Sequence, residues 1–231
     1  MISLVSRITD LIAPRLCMVC GQRLGAHEDT LCTVCSLHLP RTGYEADPYD
    51  NEMARIFWGR IPIERCGAWF FYKSGSAVSH LIYGIKYNDH PEAAQAMGKM
   101  VATEYAESGF FDGIDLIVPT PLSWRRRYQR GYNQSEEIAI GISRHTGIGI
   151  ERRAVVRRYF HESQTHKQRW DRDENVSKAF ALKRPERVAG RHLLLVDDVA
   201  TTGATLCACA KALAQAGEVK VSILTLGYAR Q

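Results

Sequence analysis

Two carboxylates stand side by side at Asp197 and Asp198, between the apolar run Leu193-Leu194-Leu195-Val196 and Val199-Ala200. Small residues follow, Thr201-Thr202-Gly203-Ala204-Thr205, and then a helical pattern. This order suits an anionic sugar ligand. In an open parallel sheet, ligands gather beyond the carboxyl ends of the strands. A loop without bulky side chains lets backbone N–H groups close around a phosphate, and the helix behind it adds a favourable dipole. The threonine hydroxyls complete the phosphate shell. The carboxylates can accept hydrogen bonds from ribose hydroxyls or hold a hydrated Mg²⁺. The alternative is a strand, turn and capped helix with no ligand. Two like charges at a strand tip weigh against it, because they repel unless something uses them.

A second set of residues suits a metal. Cys17 and Cys20 form one CxxC, and Cys32 and Cys35 form another. Two facing knuckles of this kind give the four-sulfur tetrahedron that Zn²⁺ favours, with no position left open, so the ion is structural. So small a segment has little core, and metal binding would supply its folding energy. Redox-active CxxC pairs are the competing reading, but they open a helix in a thioredoxin-like pattern that this sequence lacks. His27 and His38 read as surface residues, and Cys66, Cys207 and Cys209 as small core residues. Seven cysteines with no secretory signal argue against a disulfide framework and for the cytoplasm.

The third set is basic and aromatic. Trp124, Tyr128 and Tyr132 interleave Arg125, Arg126, Arg127 and Arg130. Such a surface can track phosphates and stack bases of single-stranded DNA; an arginine face serving a small anion, or plain solvation, fits equally. The formal charge is +5, and residues 120–191 hold 17 Lys/Arg against 8 Asp/Glu, so the rest of the chain is net acidic. A basic middle on a near-neutral chain points to a polyanionic ligand.

The elements that must position these groups follow from periodicity. Strands are expected at 66–72, 115–119, 154–159, 193–196 and 219–226, and helices at 76–87, 91–108, 134–145 and 204–216. Alternation of strand and helix predicts an α/β fold with a parallel sheet and right-handed crossovers. Residues 41–65 are turn-rich and read as a connector or hood, and 157–180 as a long polar loop. The expected division is 1–40 for an amphipathic helix and the cysteine module, 41–65 for the connector, and 66–231 for the α/β domain. No apolar run is long enough to span a membrane.

LLLVDDVATTGAT, from Leu193 to Thr205, resembles the phosphoribosyl-pyrophosphate (PRPP) motif of type I phosphoribosyltransferases. Together with CxxC…CxxC, VPTPLSWRRRYQRGYNQSEEIA (Val118–Ala139) and the stretch from Gln164 through Arg172 and Asn175 to Phe180, it is similar to the ComF family of competence proteins. The resemblance covers nearly the whole chain. It implies a phosphoribosyltransferase-fold domain, a parallel-sheet Rossmann-like core, behind an N-terminal zinc-ribbon-like module. It places Asp197 and Asp198 at the ribose, and Thr201, Thr202, Gly203, Ala204 and Thr205 at the 5′-phosphate of Mg²⁺-bound PRPP. Pro119 and Thr120 fall in the pyrophosphate loop. Arg125, Arg126, Arg127 and Arg130 follow it, and Lys167 and Arg169 are anion contacts in the loop. Thr201 stands where purine-salvage relatives carry an aspartate, and no glutaminase domain precedes the motif, which argues against both chemistries. The resemblance implies a role in natural transformation, with incoming single-stranded DNA and a competence helicase or uptake protein as partners. The alternative is an active transferase with an acceptor the sequence does not name.

Overall fold

A computed structural model describes residues 14–87, 90–158 and 179–230. After the cysteine module come a short helix α1 (Thr33–His38) and a one-turn helix α2 (Glu52–Arg55). The α/β domain then runs β1 (Cys66–Phe71), α3 (Ala77–Tyr87), α4 (Pro91–Ala106), β2 (Leu116–Pro119), α5 (Trp124–Arg130), α6 (Gln134–Thr146) and β3 (Gly149–Ile150). It closes with β4 (Val155–Arg157), β5 (Phe180–Leu182), β6 (His192–Ala200), α7 (Ala204–Ala214) and β7 (Lys220–Tyr228).

Five strands form one parallel sheet in the order β1-β7-β6-β2-β3, and β4 and β5 form a separate antiparallel pair. The alternation of side chains along each strand sorts the core into two layers. Leu194, Val196, Leu224 and Leu226 point to the face covered by α3, α4 and α6. Leu193, Leu195, Val221 and Ile223 point to the other face, covered by α7, by Met53 and Phe57 of the connector, and by the β4–β5 pair. Cys66, Cys207 and Cys209 are buried in this second layer, as expected of small core residues.

The expected elements agree with the observed ones within a few residues, but α5, β3 and β5 go beyond the expectation, and the strand expected at 154–159 pairs antiparallel with β5 outside the parallel sheet. The β6 strand runs to Ala200, four residues past the end of the apolar run. Strand β2 stops at Pro119, opposite Val196, but β7 continues, pairing Asp197 with Thr225, Val199 with Gly227 and Ala200 with Tyr228. One-sided pairing therefore carries the two aspartates within a strand.

Helices α4 and α6 cross at bare backbone. A Cβ on Gly98 would lie 2.2 Å from the Ile138 carbonyl oxygen, and one on Gly141 would lie 2.0 Å from that of Gln95. This approach presses α6 onto the sheet and sets the height of its N-terminus above β6.

The cysteine module does not hang free. Cys17, Leu24, Leu31, Cys32 and Leu39 share an apolar cluster with α4, and Arg41 bridges to Glu104 (3.0 Å) while stacking on Trp69. No helix among the described residues is long and apolar enough to cross a membrane.

Candidate functional site

The carboxyl edge of the sheet collects most of the residues singled out by chemistry. Asp198 shares a face with Val196 and meets Lys86 at the end of α3, with Nζ 2.9 Å from Oδ2 and both side chains largely shielded from solvent. Asp197 meets the N-terminus of α6, which packs on the same layer. Its Oδ1 accepts from Ser135 Oγ (2.8 Å) at the start of α6 and from the Asp198 N–H (3.0 Å). Burial, and then the neighbouring Asp198, push the Asp197 carboxyl up to about 7; Ser135, the Asp198 N–H and Lys86 oppose that rise.

Gly203 begins α7 with φ +69°, a left-handed conformation suited to glycine. A Cβ there would lie 2.8 Å from the Phe57 ring, so the connector packs directly on the loop. Thr201 and Thr202 are exposed, and Ala204 and Thr205 half-buried, at the head of this helix. No charged side chain lies between Thr201 and Thr205.

Pro119 and Thr120 are buried at the end of β2. The Thr120 N–H donates to the Val196 carbonyl (2.9 Å), and its own carbonyl accepts from Asn133 Nδ2 (3.1 Å). Thr120 Oγ1 and Asn133 Oδ1 are the buried side-chain polar atoms without a hydrogen-bond partner among the described residues. Asn133 sits at the N-cap of α6 yet its side chain makes no cap bond. A buried polar atom left unmatched costs about 1–3 kcal/mol. Two of them, beside Ser135 and the β6 carboxylates, fit a site that receives hydroxyls or a hydrated ion.

The arginines divide. Trp124–Arg130 is a helix capped by Ser123, and none of its residues is buried. Trp124 and Tyr128 are 72% and 83% exposed and stack with centroids 6.1 Å apart. Arg130 turns inward, donating to Gln134 Oε1 (2.8 Å) and to the Tyr87 hydroxyl (3.4 Å). Tyr132 belongs to the body rather than to the exposed surface: it is half-buried, and its hydroxyl donates to the Ile85 carbonyl. In its place α3 supplies a second aromatic pair, Tyr83 and Tyr87, tilted at 37° with centroids 4.5 Å apart and both exposed.

Arg157, on β4, is half-buried, lies over Phe180 at 5.4 Å, and has no acceptor among the described residues. Burial first, and then the neighbouring charge of Arg126, hold it below the usual arginine range. A shielded guanidinium beside another cation is a natural anion contact. Lys167 and Arg169 lie outside the described residues.

The four cysteine sulfurs lie within 4.8 Å of one another, and Cys20 Sγ is 3.7 Å from Cys32 Sγ. Zn–S bonds of about 2.3 Å in a tetrahedron put sulfurs close to 3.8 Å apart, so the set fits the ion. Backbone N–H groups of Cys32 and Cys35 donate to Cys17 Sγ and Cys32 Sγ, both at 3.4 Å. Burial would raise the Cys17 thiol, but N–H donors from Cys20, Cys32 and Val19 bring it down to about 7, while burial and the crowded sulfurs push the Cys35 thiol up.

Sequence reasoning missed Lys86, Ser135, Asn133 and Arg157. Each sits on a different element from the aspartates; Asn133 and Ser135 fall in the Val118–Ala139 stretch, and Arg157 at the start of the polar loop.

Comparison with known proteins agrees with this fold. A family model described as a phosphoribosyl transferase domain matches residues 132–231. The DNA utilization protein YhgH of Escherichia coli (strain K12) is 30% identical over 226 residues, 94% of this chain and 98% of that protein. Competence protein F of Haemophilus influenzae is 34% identical over 116 residues, 50% of this chain and 51% of the relative. Among solved structures, the glutamine PRPP amidotransferase from B. subtilis matches with TM-score 0.42 and 22% identity over 62% of this chain and 30% of that one, too distant to add to the topology. The sheet order, the domain match and the near full-length relative together place the chain in the ComF family, with a type I phosphoribosyltransferase fold and an N-terminal cysteine cluster that fits a zinc ribbon.

Proposed function

We propose that this protein binds Mg²⁺·PRPP at the carboxyl edge of β6 and β2, and handles single-stranded DNA on the neighbouring basic and aromatic face. The observation that carries the first part is the pair of unmatched buried atoms, Thr120 Oγ1 and Asn133 Oδ1, beside the β6 carboxylates and the small-residue loop. Asp197 and Asp198 take the ribose hydroxyls, Thr201–Thr205 the 5′-phosphate, and Thr120 with Arg126 and Arg157 the pyrophosphate. Zn²⁺ is structural, and the module it organises is a docking platform for a helicase or uptake protein in the cytoplasm.

The DNA part rests on four exposed aromatics, Trp124 and Tyr128 interleaved with Arg125, Arg126 and Arg127, and the pair Tyr83 and Tyr87, of which Arg130 reaches Tyr87. Base–aromatic stacking contributes about 1–3 kcal/mol per base, and arginines track the phosphates. The names of the relatives, DNA utilization protein and competence protein, point the same way for those proteins.

A second reading, transfer of the phosphoribosyl group, is favoured by Arg157. A cation there would stabilise charge developing on departing pyrophosphate as the anomeric C–O bond breaks and an acceptor bonds to the same carbon. Calorimetric titration with Mg²⁺·PRPP tests the shared step. Micromolar binding that Asp197→Asn/Asp198→Asn loses at least 100-fold is expected; no binding by folded, zinc-loaded wild type would reduce the site to a scaffold. Turnover with a panel of amines and bases separates the second reading from simple binding.

A further inference from the structure

The loop Thr201–Thr205 has a deficit of charge. A phosphate monoester carries up to two negative charges, and the loop offers backbone N–H groups, hydroxyls and a helix dipole equivalent to about half a charge. Among the described residues, a cation from the connector reaches this loop. Arg60 NH1 donates to the Thr202 carbonyl oxygen (2.7 Å) and to the Ile56 carbonyl oxygen (3.0 Å). Both contacts use one nitrogen. The remaining Nε and NH2 donors have no acceptor among the described residues, and the side chain is exposed.

The contact is not incidental to a floppy linker. Ile56 and Phe57 of the same segment sit against Gly203, where a Cβ would meet them at 3.0 Å and 2.8 Å. Phe57 and Ile61 are buried in the layer that includes α7. The segment holding Arg60 is thus clamped to the loop from both sides of the arginine, and its guanidinium is fixed at one corner with a planar fork of donors left over. That geometry matches a phosphate, which guanidinium binds through two parallel N–H···O bonds.

We infer that Arg60 is a positioning residue for the phosphomonoester end of the ligand: it pins the Thr202 carbonyl and supplies the positive charge that the loop lacks. The inference rests on the Mg²⁺·PRPP reading and extends it to a residue outside the motif. It also gives residues 41–65 a part in ligand recognition.

The test uses full-length zinc-loaded protein, wild type, Arg60→Met and Arg60→Lys, titrated separately with Mg²⁺·PRPP, ribose 5-phosphate and Mg²⁺·pyrophosphate. Ribose 5-phosphate carries the monoester without the pyrophosphate, and pyrophosphate the reverse. The expected result is a loss of tenfold or more for ribose 5-phosphate and PRPP in Arg60→Met, partial recovery in Arg60→Lys, and pyrophosphate affinity within twofold of wild type. A merely structural arginine would not give recovery by lysine together with selectivity between the two probes. Unchanged ribose 5-phosphate affinity in Arg60→Met would overturn the role of Arg60 while leaving the PRPP site standing. Equal losses for all three ligands would mark Arg60 as a fold element and overturn it as well. Failure of wild type to bind PRPP or ribose 5-phosphate would overturn the underlying reading and the inference with it.

Discussion

The β6 edge and the α5 helix both gather charge, but they hold it in opposite ways. On β6 the charges are few and each is braced: Asp198 by Lys86, Asp197 by Ser135 and by the next backbone N–H. On α5, Arg125 and Arg127 stand in solvent, beside aromatic rings that expose most of their surface. A braced group has one geometry and recognises one ligand shape. A solvated row of arginines and rings tolerates many bases and any run of phosphates. The contrast suits a small-molecule site beside a polymer track.

This contrast can be broken in order of expected effect. Gly141→Ala pushes a methyl group into the Gln95 carbonyl and should cost about 3 kcal/mol, read as a large fall in Tm and a displaced Ser135. A change under 1 kcal/mol would show that the brace is softer than the crossing implies. On the exposed side, Trp124→Ala/Tyr128→Ala should weaken single-stranded DNA by about tenfold or more while moving stability by less than about 0.5 kcal/mol. Equal affinity would remove the stacking role.

The raised carboxyl of Asp197 gives a smaller, graded effect. Its anion is the form that accepts ribose hydroxyls, so PRPP affinity should rise with pH up to about 7 and level above it. For stability the sign is reversed. Folding suppresses this ionisation, so stability is full below the unfolded value of about 4 and is lost as pH rises towards 7. Asp197→Asn should therefore gain on wild type across that window in thermal melts, and a flat difference would place the charge elsewhere. The smallest effect belongs to Arg127→Ala, which should lower the salt slope of DNA binding by about one and leave PRPP unchanged.

The fold was legible because apolar residues fell in clean strand and helix periods, and the aspartates and the small-residue loop because they are contiguous. Where β6 ends was not legible, since pairing with β7 outlasts the apolar run. Lys86 was hidden for a different reason. At the end of an amphipathic helix a lysine reads as solvated, and only the packing of α3 beside β6 brings it to Asp198. Arg60 lay in a turn-rich stretch with no period at all, and Arg157 at the margin of a polar segment. Tyr132 resembled its exposed neighbours in sequence, yet the turn after α5 rotates it onto Ile85. Contiguous chemistry survives in sequence, whereas chemistry assembled by tertiary packing does not.

Arg130 has a consequence for communication between the two regions. It grips Tyr87 with one nitrogen and Gln134 with another, and the chain neighbours of those residues, Lys86 and Ser135, hold Asp198 and Asp197. The ring closes through a single arginine at the end of α5. If a DNA phosphate draws Arg130 outward and thereby changes the affinity for PRPP, then PRPP must change the affinity for DNA by the same factor, because the two binding steps share one thermodynamic cycle.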